Sequence, residues 1–73
     1  MNINRIQKEL SEQLRFVESS LAVVYDEKSK EVVISFIGSQ NEGKNEARYD
    51  ADLGDEKIIK EATRAILLNR ACI

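Results

Sequence analysis

The chain has 73 residues, 42% of them apolar and 33% charged, with 11 bases against 13 acids, a single cysteine and no histidine, tryptophan or proline. That describes one small domain, which buries about 60% of the surface its unfolded form exposes and reaches a stability of roughly 3–5 kcal/mol. A formal charge of −2 excludes a chain that grips phosphate by net charge alone, lone Cys72 closes no intramolecular disulfide, and no run approaches the roughly 20 apolar residues of a membrane span.

The opening segment MNINRIQKEL has no apolar stretch behind Arg5 of the kind a signal peptide carries, so the expected compartment is the cytoplasm. Ile3, Ile6, Leu10, Leu14, Val17 and Leu21 fall within one arc of about 80° at helical pitch and predict an amphipathic helix. Asn2 or Asn4 can cap it, and Asn4 with Gln7 forms a capping-box candidate. Phe16 lies outside that arc, where it either widens the apolar face or stays exposed. Two β-rich runs follow, Leu21–Tyr25 and Glu31–Ile37, and the polar residues Asp26–Lys30 between them predict a hairpin. In the second run Val32, Ile34 and Phe36 share one face while Val33 and Ile37 share the other. One face is expected against the helices, and the other keeps an apolar remainder that a partner can cover.

Gly38–Asn45 is a polar, glycine-containing stretch that predicts a loop. Beyond it Ala47, Tyr49, Ala51 and Leu53 alternate with Arg48, Asp50 and Asp52, which predicts a third strand, with a short helix ending at Gly54 as the competing reading. As a strand, it turns Asp50 and Asp52 together away from Tyr49 and Leu53. A second helix starts at Gly54-Asp55-Glu56, where Asp55 can cap and both acids suit a helix start. Ile58, Ile59, Ala62, Ala65, Ile66 and Ile73 share one side of it. Leu67 and Leu68 point elsewhere, so the second half of this helix has two surfaces to pack against. The predicted class is α+β, a single domain over 1–73 in the order α-β-β-β-α, with two helices on one face of a small antiparallel sheet.

Chemistry-bearing motifs are few. Gly38-Ser39-Gln40-Asn41-Glu42-Gly43-Lys44 fits the spacing of a phosphate-binding loop, yet Asn45 stands where the magnesium-binding hydroxyl belongs. Two glycines serving turn geometry explain the stretch more simply. Asp50, Asp52 and Glu61 match positions 1, 3 and 12 of a calcium loop, but Asp55 occupies the position that needs glycine, so no metal site is assigned. With no histidine as base, and with Cys72 in an apolar helix, no catalytic residue is assigned; no cofactor is expected, and the chain reads as no enzyme.

Charge is unevenly spread. Residues 42–56 hold six acids (Glu42, Glu46, Asp50, Asp52, Asp55 and Glu56) against Lys44 and Arg48, whereas residues 57–73 hold Lys57, Lys60, Arg64 and Arg70 against Glu61. Helix-dipole complementation accounts for Asp55 and Glu56, but not for the acids upstream of them. The alternative explanation is a solvated face that aids solubility.

Two resemblances follow from these residues. The element order, together with Lys60-Glu61-Ala62-Thr63-Arg64-Ala65 in the last helix, resembles the double-stranded-RNA-binding domain with its K-E-A-x-x-A stretch. The basic cluster with which that family begins its last helix is here Asp55-Glu56-Lys57, and its Gly-Pro-x-His loop is replaced by Asp26–Lys30. In size, scarcity of catalytic groups and acidic middle, the chain resembles small bacteriophage host-takeover proteins, some of which mimic nucleic acid to occupy basic host proteins; the phage inhibitor of the nucleoid protein HU is one instance.

The resulting expectation is a non-enzymatic inhibitor or interaction protein. Glu42, Glu46, Asp50, Asp52, Asp55 and Glu56 engage a basic host protein, DNA-binding or nucleoid-associated, with carboxylates in place of phosphates. A homodimer is expected, because a second subunit supplies burial that so small a core lacks. Its seam is formed by Leu67, Leu68, Ala71 and Ile73, or by the second sheet face with Val33 and Ile37. Neither membrane nor direct nucleic-acid contact is expected. The alternative is a nucleic-acid-binding domain that uses Lys57, Lys60, Arg64 and Arg70.

Overall fold

The computed structural model describes residues 2–15, 20–37 and 43–71, with backbone only for 69–71. Helix α1 (Ile3–Gln13) is followed by strands β1 (Ala22–Asp26), β2 (Glu31–Ile37) and β3 (Lys44–Asp50), a 3-10 turn (Ala51–Leu53) and helix α2 (Asp55–Ala71). The predicted α-β-β-β-α order and α+β class are therefore those of the protein. The three strands form one antiparallel sheet in the order β1-β2-β3.

Helix α1 begins at Asn2, whose Oδ1 accepts the Arg5 N–H at 3.0 Å, so Asn2 and not Asn4 is the cap. It ends well before Leu21. Leu14 has left helical geometry (φ −124°, ψ 58°), although its N–H still donates to the Leu10 carbonyl at 2.8 Å. Both Leu14 and Leu21 are buried, but Leu21 reaches the core from the residue before β1. The periodicity identified core residues correctly and assigned the last of them to the wrong element. Val17 and Phe16 lie outside the described residues.

The hairpin turns over Glu27–Lys30, with Asp26 paired opposite Glu31 as its closing pair. Asp26 Oδ1 accepts the N–H groups of Lys28 (3.0 Å) and Ser29 (3.4 Å), and Lys30 adopts φ 57°, which completes the reversal. Strand β3 starts and stops three residues earlier than the alternation of Ala47–Leu53 implied, and Lys44 and Asn45 belong to it, not to the preceding loop. Asp50 is the cause of the early stop: its carboxylate accepts the Asp52 N–H at 2.9 Å and bends the chain into the 3-10 turn. Asp52 thus does not share a strand face with Asp50. Gly54, at φ 90° and ψ 155°, joins the turn to α2, and its carbonyl accepts the first helical bond from Ile58 (3.0 Å). Asp55 is accordingly the first helical residue and not the cap. Its carboxylate instead accepts the Asn2 N–H at 3.2 Å, tying together the starts of the two helices.

The helices lie side by side and run the same way, Arg5 beside Glu56 and Gln13 beside Thr63. Ile6 and Leu10 from α1, Leu14 just after it, and Ile58, Ile59, Ala62 and Ile66 from α2 close over Val23, Val32, Ile34 and Phe36 of the sheet. No buried polar residue interrupts this core among the described residues. Both helices are used on one face, and no described element covers the other face of the sheet.

A side chain at position 54 meets no atom within 4 Å, so Gly54→Ala tests backbone conformation alone. It is expected to cost about 1–3 kcal/mol, since this region is essentially reserved for glycine. Urea unfolding checks this through a lowered midpoint at unchanged slope.

Candidate functional site

Strand alternation sends every second side chain to the bare face of the sheet. Across the strands these side chains form rows: Ile37 opposite Lys44, Ser35 between Ala22 and Glu46, Val33 between Val24 and Arg48, and Glu31 between Asp26 and Asp50. Val24 is 54% exposed and Ile37 44%, whereas Val33, flanked by Val24 and Arg48, is only 6% exposed. A hollow of about 620 Å³ lies over this surface, against Val24, Val33, Ser35 and Arg48.

The acidic row is the unusual feature. Asp26, Glu31 and Asp50 occupy directly opposed positions on adjacent strands. Strands lie about 4.8 Å apart, and like charges placed directly opposite destabilise a sheet. Arg48 relieves part of this repulsion. Its Nη1 donates to Asp26 Oδ2 (3.2 Å) and Glu31 Oε1 (3.4 Å), and its Nε donates to Glu46 Oε1 (2.8 Å). The guanidinium, with the Lys28 N–H behind it, holds the Asp26 carboxyl below the usual carboxylate range. The Asp26 carboxylate in turn pushes Arg48 up. Four carboxylates against Lys44 and Arg48 still leave the face at −2.

The fold uses these acids unequally. Asp26 and Asp50 each cap the turn that follows their strand. Among the described residues, Glu31 and Glu46 accept no backbone N–H and pair with Arg48 alone. No turn or cap therefore needs them where they are.

The six acids singled out in the sequence do not form one ledge. Glu46 and Asp50 lie on the bare face, and Asp52 lies in the 3-10 turn. Asp55 and Glu56 start α2 under Arg5, which stands 3.9 and 3.7 Å from them and also pairs with Glu9 at 2.8 Å. Glu42 lies outside the described residues. Sequence reasoning missed Asp26 and Glu31 because the first 41 residues are nearly neutral as a block. The signal was their position flanking the hairpin loop, which makes them a cross-strand pair.

Of the expected seam, Val33 and Ile37 lie on the bare face, with Val33 already covered, and Leu67 (48% exposed) and Leu68 (57%) lie on α2. The Ala71 side chain, Ile73 and Arg70 fall outside what is described. The glycine-rich run is described only from Gly43, and Lys44 opens a strand where a phosphate-binding loop would open a helix. Among the described residues no group of three or more acids or thiols is placed to hold a metal ion, and no helix is long and apolar enough to cross a membrane. The arrangement offers electrostatic recognition with two apolar contact points, Val24 and Ile37.

Arg48 should make the protein acid-sensitive. Asp26 is held below its unfolded value near 3.8, so its contribution is present above that pH and lost as pH falls through the folded value. In Arg48→Met that loss should shrink, giving a flatter fall in stability between about pH 5 and pH 2 than wild type shows in urea titrations. An equally steep fall would deny Arg48 this role. No protein-family model, no curated protein and no solved structure matches the chain.

Proposed function

We propose that the protein is a non-enzymatic interaction module whose bare sheet face engages a basic partner protein, its carboxylates taking the place of nucleic-acid phosphates. The observation that carries this reading is the row Asp26–Glu31–Asp50 with Glu46 beside it: like charges set opposite one another across three strands, of which Glu31 and Glu46 cap no turn and share Arg48 with Asp26. A sequence selected for stability alone places opposite charges at such positions. A rigid sheet face whose four carboxylates outnumber Lys44 and Arg48 suits an array of lysines and arginines on a partner, and Val24 and Ile37 supply apolar contact at its centre and end. Competition with DNA or RNA for a nucleic-acid-binding host protein is the inhibitory mechanism that follows.

The experiment is capture from a bacterial lysate at about 0.1 M and about 1 M salt, where the Debye length falls from about 10 Å to about 3 Å. Wild type should retain basic proteins at the lower salt and release them at the higher, and Glu31→Lys/Glu46→Lys should retain none while still unfolding cooperatively. Retention by the folded double variant, or a retained set that is not basic, would refute the reading. A gel shift with duplex DNA or RNA is expected to show no binding. A shift lost on changing Lys60 and Arg64 would favour nucleic-acid binding by α2 instead.

A further inference from the structure

The outward side of α2 is a second uncovered surface. Lys57, Lys60, Arg64, Leu67 and Leu68 fall within about 100° of one another at helical pitch, opposite the buried Ile58, Ile59, Ala62 and Ile66. Among the described residues Lys57, Lys60 and Arg64 form no ion pair, although Arg5 and Arg48 each serve several acids. Lys60, Thr63, Arg64, Leu67 and Leu68 line a hollow of about 480 Å³. Two acids border the stripe: Glu61, which is only partly exposed, and Glu56, which is exposed and stands 3.7 Å from Arg5.

The charge on the stripe bears directly on what can cover it. Two copies meeting through α2 about a two-fold axis either set cations of one stripe against cations of the other or, centred on Leu67 and Leu68, leave Lys57, Lys60 and Arg64 without acidic partners. A surface with three unpaired cations and two exposed leucines calls for a surface with an excess of carboxylates and exposed aliphatic groups. The chain has such a surface on its other side. The bare sheet face carries Asp26, Glu31, Glu46 and Asp50 with Val24 and Ile37, at −2 against +3 on the stripe. Dimensions agree as well. From Lys57 to Leu68 is about 17 Å along a helix about 10 Å across. A three-stranded sheet is about 10 Å between its outer strands, and β2 is about 24 Å long.

We propose that copies of this chain associate head to tail, the α2 stripe of one lying on the bare sheet face of the next. Each contact then repeats between molecules the helix-on-sheet layering found within one. Such an interface is heterologous, so it leaves one stripe and one face open at the ends and grows unless a ring closes. A basic partner and a neighbouring copy compete for the same carboxylates. The inference needs only the purified chain, so it stands or falls separately from the identity of any partner.

Sedimentation velocity of the chain at about 0.01 M and about 1 M salt, where Debye lengths are about 30 Å and 3 Å, tests it. Species larger than one chain should appear with rising concentration at low salt and vanish at high salt. Glu31→Gln/Glu46→Gln disables only the face and Arg64→Gln/Leu68→Gln only the stripe. Each alone should weaken association about tenfold or more. Mixed one to one, they should recover a pair that stops at two chains, since only one intact face and one intact stripe remain. A monomeric wild type at low salt overturns the proposal. So does association kept by either variant alone, or a mixture that forms no pair. Circular dichroism on each variant separates loss of contact from loss of fold.

Discussion

Everything in this molecule follows from a shortage of helix. A chain of this length provides two helices, and both are needed on one side of the sheet to bury Val23, Val32, Ile34 and Phe36. No described element covers the opposite face. An antiparallel sheet tolerates one wet face, provided its outward side chains are polar or shielded by their neighbours. Here that face is stabilised around one residue: Arg48 binds three carboxylates, and with Val24 it flanks Val33.

The bare face is more acidic than solvation requires. Asp26 and Asp50 have places in the turns that follow them, and a single acid would have balanced the charge of Arg48. Glu31 and Glu46 go beyond this. Because such small domains have little stability to spare, two further acids on a face with one arginine are a cost that the proposed partner surface would explain. The outward stripe of α2, on the other side of the molecule, carries the reverse imbalance, with exposed Lys57, Lys60 and Arg64. The acidic sheet face and the cationic stripe of α2 thus lie on opposite sides of the core.

Much of this was legible from residue order, and the errors have physical causes. Strand β2 and the split of its apolar residues between two faces followed from β-branched alternation. The core side of α2 followed from helical spacing. The overlong first helix arose because Leu14 and Leu21 sit a helical multiple apart and are both buried, while spacing alone cannot reveal that the chain changes element between them. The late end of β3 arose because alternation through Ala51 and Leu53 resembles a strand, when the Asp50 carboxylate turns the backbone instead. The acidic site was half legible. Linear charge counting found Glu46 and Asp50, but grouped them with Asp55 and Glu56, which Arg5 and the start of α1 occupy. It missed Asp26 and Glu31, because charges brought together by strand pairing are invisible until the register is known.

The central claim is that the acidic row is kept against the interest of the fold. Urea unfolding of Glu31→Lys measures this most directly. A lysine at that position faces Asp26 on one side and Asp50 on the other, replacing two repulsive cross-strand pairs with two attractive ones, each worth about 0.2–1 kcal/mol. The account predicts a higher midpoint at unchanged slope, despite the lost contact with Arg48. A lower midpoint would mean that the row supports the sheet, and a face built for stability would no longer argue for a partner.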